Sequence, residues 1–199
     1  VHRLTWLGAA PLLLARWTSH PRAVRMAGVF WLLAGAATWG PSGVDPGRRG
    51  IEAELRAHRH GRHVELRADP EATTTDALDA LTEVADFHAA EVSAWLGLPP
   101  PRAPRRVVVY VFKDREQKRR LMGAARTRVA KPWLFEVYVD SAHVDDPVLR
   151  HELAHALAAP LAPGPLHVPA RFGLWPQMVL VEGLATAATW EGGRHTPHV

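Results

Sequence analysis

The chain has 199 residues, 47% hydrophobic and 22% charged, and a net charge of +4 carried by 21 Arg and 3 Lys against 20 acids. That balance belongs to a packed protein and excludes disorder as a global description, and the length suffices for one ordinary domain with an appendage. The lack of cysteine excludes a disulfide scaffold, a thiolate metal site and a cysteine nucleophile, so any metal must be held by His and carboxylates.

Residues 1–44 hold only four charged side chains, Arg3, Arg16, Arg22 and Arg25, and no acid. Two apolar runs, Leu4 to Ala15 and Met26 onward, flank the basic stretch RWTSHPRAVR. The second is uncharged for 19 residues, close to the roughly 20 that span a bilayer, although its end from Gly40 to Gly43 is turn-like. Trp6, Trp17, Trp31 and Trp39 sit at the flanks of these runs, as interfacial aromatics do. The segment reads as a hydrophobic helical hairpin in the membrane. A signal peptide or single anchor, and a buried hairpin of a soluble protein, are the alternatives. Under the positive-inside rule the basic stretch is cytoplasmic, which puts the chain beyond about residue 45 outside the cytoplasm.

Residues 45–62 read as a polar linker, and the histidines of HRHGRH (His58, His60, His63) read as solvated surface, because Arg59 and Arg62 among them repel a cation. From residue 63 the periodicities predict a strand over His63–Ala68, a long amphipathic helix over Thr73–Trp95 stopped by Gly97 and the prolines after it, and a buried strand over Arg106–Phe112. A short helix over Arg115–Met122 and a strand over Trp133–Asp140 follow. Eleven basic residues lie between Arg102 and Lys131 against two acids. A nucleic-acid groove would interleave aromatics with that charge, and only Tyr110 and Phe112, inside a strand, are available; the segment reads as a solvated basic face, with no nucleic-acid partner.

The chemistry follows the last strand. Asp145, Asp146 and Pro147 make a helix start, with an Asp at the N-cap and Pro at the first turn. The helix PVLRHELAHALAA carries Leu149, Leu153 and Leu157 as a core stripe, and His151 and His155 one turn apart on another face. Two imidazoles so placed can grip one cation, with Glu152 beside it, which is the H-E-x-x-H pattern. Chance alone gives the three fixed residues in about 4% of chains of this composition, so the surroundings must carry weight. Downstream, PQMVLVEGLATAATW predicts an apolar helix with one acid, Glu182, which reads as buried and therefore costly unless paired or metal-bound.

HELAH, 26 further residues and then Glu182 within VEGLATAA resemble the gluzincins, the thermolysin-like zinc peptidases, and more narrowly the bacterial peptidase MA-like proteins. The resemblance runs from about His63 to Trp190. It implies an α+β, zincin-like metallopeptidase domain over 63–199: a twisted mixed sheet packed on the HExxH helix and a glutamate helix, with the hydrophobic hairpin ahead of it and further chain beyond Val199. By position, His151, His155 and Glu182 would be the ligands of a Zn2+ ion. Glu152 would be the catalytic base, taking a proton from the activated water during hydrolysis of a peptide or protein substrate. The strand before the HExxH helix, Phe135 to Asp140, would be the sheet edge on which substrate adds as a strand. The location implied is a bacterial cell membrane, held through residues 1–44, with the catalytic domain extracytoplasmic. Two departures stand out: Thr186 occupies the place where relatives often carry an orienting Asp, and no oxyanion-steadying Tyr or His is evident. A zincin-like binding or sensory domain without activity, and an integral-membrane gluzincin acting at the bilayer surface, are the alternatives.

Overall fold

The computed structural model describes residues 46–190 except 124, 126–128, 145, 163, 165–166 and 172–174; the predicted N-terminal hairpin lies outside the described residues. The chain divides into two compact units, 1–50 and 51–199. In chain order the elements are α1 (Pro46–Glu54), β1 (Ala57–His60), β2 (Val64–Ala68), α2 (Thr75–Trp95), β3 (Val107–Phe112), α3 (Arg115–Met122), β4 (Val129–Lys131) and β5 (Glu136–Asp140). After them come α4 (Asp146–Leu157), the two-residue strands β6 (Ala170–Arg171) and β7 (Trp175–Pro176), and α5 (Met178–Thr189).

This is a mixed α+β architecture. Five strands form one sheet in the order β1-β2-β3-β5-β4, with β2, β3 and β5 parallel and the two edge strands antiparallel to their neighbours. Parallel neighbours need long crossovers, which α2 supplies between β2 and β3, and α3 with β4 between β3 and β5. The pleat sorts the side chains. Val64, Leu66, Val107, Val109, Val111, Val137 and Val139 face one side, where they form the main core with α2, α4 and α5. Tyr110, Phe112 and Tyr138 face the other and pack with Ile51 of α1 and with Leu55 just after it.

The helix boundaries follow from local chemistry. At α2 the Thr74 hydroxyl accepts the Ala77 N–H at 3.3 Å. Its other end is a Schellman turn, in which Gly97 at φ 69° donates to the Ala94 carbonyl and Leu98 donates to Ser93. At α3 the Asp114 carboxylate accepts the Gln117 N–H at 2.7 Å, and Gly123 closes the helix at φ 76°.

Three expectations need correction. The span read as a linker contains α1 and β1, because Ile51 and Leu55 are apolar at helical spacing and are buried. The strand predicted over Trp133–Asp140 is shorter, since Pro132–Leu134 form a 3-10 turn that ends at Phe135 with φ 59°. That strand is also interior: Val129, Ala130 and Lys131 of β4 pair with Tyr138, Val137 and Glu136, so β4 is the edge. No helix among the described residues is long and apolar enough to cross a membrane.

Candidate metal centre

α4 is anchored by the leucine stripe that its sequence predicts: Leu149 and Leu153 are fully buried and Leu157 nearly so, against α2 and the sheet. It begins at Asp146, with Asp145 outside the described residues. Fixing that face leaves His151, Glu152 and His155 on another, where His151 and Glu152 are buried and His155 is half-buried.

α5 packs against α4 through small residues. Ala185 and Ala188 are buried in the main core with Ala154 of α4, and Glu182 lies three residues before Ala185, one turn earlier on the same face. The alanines of EGLATAA therefore let the two helices approach closely, and the turn before them delivers a carboxylate to the histidines. The Glu182 Oε2 atom lies 3.4 Å from His151 Nε2 and 3.6 Å from His155 Nε2, and the two Nε2 atoms are 3.2 Å apart.

The apolar surroundings of Glu182 in sequence predict burial, and the structure corrects this: its side chain is 52% exposed, and Met178, Val179 and Leu180 before it are exposed as well. The cost of burying a lone acid is therefore not what marks this residue. Its convergence with the two imidazoles is.

Three lone-pair atoms this close require something positive between them. Protons on the rings are one answer and a cation is another. Zinc with ligand distances of about 2.0–2.2 Å in a tetrahedron sets ligand–ligand separations of about 3.3–3.6 Å, nearly the triangle observed. The ionisation state agrees: burial pushes the His155 pKa below its ordinary value, with the Glu182 carboxylate pushing partly back. A ring held neutral keeps a lone pair for a metal. Among the described residues, His151, His155 and Glu182 are the group of His and acidic side chains whose ligand atoms all come within 4.8 Å. The trio His58, His60 and His63 does not gather in this way.

Neither tyrosine of the chain can act here. Tyr110 and Tyr138 are fully buried on the other face of the sheet, stacked on one another at 4.9 Å. Thr186 lies one turn after Glu182, and its carbonyl accepts the Thr189 hydroxyl at 2.9 Å. Besides α1 and β1, the sequence reading missed β4, because a three-residue strand in a basic stretch carries no periodicity to find. No protein-family model, no curated protein and no solved structure matches the chain.

Proposed function

We propose that this protein is a zinc-dependent metallopeptidase of the gluzincin type, in which His151, His155 and Glu182 hold the ion and Glu152 is the general base. The observation that carries the reading is the triangle of 3.2, 3.4 and 3.6 Å made by two imidazole nitrogens and a carboxylate oxygen from two helices. Zinc in such a site supplies Lewis acidity, acidifying a water and polarising a scissile carbonyl. The residues of the chain do the rest. Glu152, next to His151 on α4, takes the proton of the attacking water and returns it to the leaving nitrogen. Held by His151, His155 and Glu182, the ion would have room left for the water that hydrolysis consumes. The five-stranded mixed sheet with the HExxH and glutamate helices on one face supports a zincin-like fold.

A peptide substrate would add to β4, the antiparallel edge next to β5, and not to β5 itself. Residues 1–44 would hold the domain at the outer side of a bacterial membrane, a reading supported by the basic stretch between two apolar runs.

The test is metal analysis of the full chain after dialysis against trace zinc. About one zinc per chain is expected, with loss of retention in Glu182→Ala. Zinc-free protein, or unchanged retention in the variant, overturns the ligand assignment. A second reading, a zincin-like binding domain without activity, is favoured by the burial of both tyrosines away from the site. It is chosen over the first if the zinc-loaded protein binds peptides and cleaves none.

A further inference from the structure

The strands β2 and β3 start side by side, with Val64 opposite Val107 and the Val107 N–H donating to the His63 carbonyl at 3.1 Å. That register brings Arg62 and His63 next to Arg106. The segment after α2 returns to the same place: Pro100, Arg102 and Ala103 complete the lining of a cavity of about 480 Å³ that opens to solvent. The volume lies within the range of small-ligand sites, roughly 300–1,000 Å³. None of its lining residues belongs to the metal cluster.

We propose that this cavity binds a phosphomonoester dianion. Three guanidinium groups line it, and none of them pairs with a carboxylate among the described residues. The Arg106 Nε atom is buried and makes no hydrogen bond, so this guanidinium has donor capacity that the fold leaves unused. The acid at hand, Asp86, is already engaged. Its carboxylate accepts the backbone N–H groups of Arg62 at 2.5 Å, His63 at 2.8 Å and Val64 at 3.0 Å.

Those bonds also make the frame rigid. A Cβ on Gly61 would come within 2.5 Å of the Asp86 carboxylate, so glycine is what lets the carboxylate tuck beneath the loop. His63 Nδ1 donates to the Pro101 carbonyl at 2.8 Å and ties the two lining segments together. A single carboxylate is satisfied by one guanidinium fork. A tetrahedral dianion presents three oxygens and enough charge for several, and the remaining volume takes the organic part of an ester. The same chemistry serves a soluble phosphate ester or the head group of a lipid.

The experiment titrates the full metal-free chain at low ionic strength with inorganic phosphate and with phenyl phosphate. It also sediments the chain with phosphatidylcholine vesicles containing phosphatidic acid. Saturable binding is expected, tighter for phenyl phosphate than for phosphate. Arg62→Ala and Arg102→Ala, both at exposed positions that the fold does not need, should each weaken it about ten-fold or more. Arg106→Lys keeps the charge, loses the fork and should weaken it too. Arg119→Ala, in an exposed pair with Glu116, should change nothing. Binding to vesicles alone with the same arginine dependence assigns the site to a head group, and binding of phenyl phosphate assigns it to a soluble ester. No saturable binding in either arm, or equal weakening by Arg119→Ala, overturns the proposal.

Discussion

On the face of the sheet that carries α1 and α3, polar side chains pair donor to acceptor: Lys118 Nζ donates to the Tyr138 carbonyl at 3.0 Å, Tyr138 Oη donates to Glu136, and Tyr110 Oη donates to Glu52 at 3.2 Å. On the face that carries α2, α4 and α5, His151, His155 and Glu182 turn ligand atoms toward one another with 3.2 to 3.6 Å between them. The first arrangement puts a donor against the Tyr138 carbonyl and against one oxygen each of Glu136 and Glu52, and so ties the elements of that face together. The second gathers acceptors at one point, an arrangement that protein hydrogen bonds alone serve poorly and a cation serves well.

The contrast can be broken from either side. The largest effect is expected from Glu152→Gln: peptide hydrolysis should fall about 10²- to 10⁴-fold with zinc content and unfolding midpoint retained, as for loss of a general base. A turnover equal to wild type would remove Glu152 from the chemistry. Leu153→Ala should lower unfolding free energy by about 2–5 kcal/mol in denaturant titrations, because the leucine is fully buried in the main core, on the helix α4 that carries His151 and His155. Its zinc affinity should fall with stability, which Glu152→Gln should not show. On the other face, Tyr138→Phe should cost about 1–3 kcal/mol by leaving the buried Glu136 carboxylate one donor short, with no change in zinc binding. If it altered zinc binding instead, the division between the two faces would fail.

The smallest effect concerns pH. Arg120, hydrogen-bonded to Glu54 at 2.5 and 2.7 Å, holds that carboxyl below its ordinary value. The unfolded chain then takes up a proton before the folded one does. The pair's contribution is therefore complete above the ordinary carboxylate value and is lost as pH falls through the lower, folded value. Arg120→Ala should lower stability slightly at neutral pH and leave it unchanged well below the folded carboxyl value, so that the acid limb between them flattens; the effect is small because the pair is largely solvent-exposed.

Much of this was legible in the chain. Leu149, Leu153 and Leu157 recur every four residues, so the buried face of α4 and the one-turn spacing of His151 and His155 follow from helical geometry alone. Gly97 and the prolines after it mark the end of α2 by local chemistry, and the boundaries of α2 and α3 came out within two residues of expectation. Alternation and valine content identified β2 and β3.

Only the tertiary structure decided the rest. Strand order depends on pairings between residues far apart in sequence, so the chain gave no sign that β4 would cover β5 and become the edge. The exposure of Glu182 depends on what packs around α5. Composition pointed to burial, while the fold buries Ala185 and Ala188 and leaves the preceding turn half in water. Residue identity and local spacing determined which side chains can bind a metal. Their meeting at one point required two helices, 26 residues apart between His155 and Glu182, to be brought together by small buried side chains and the core they share.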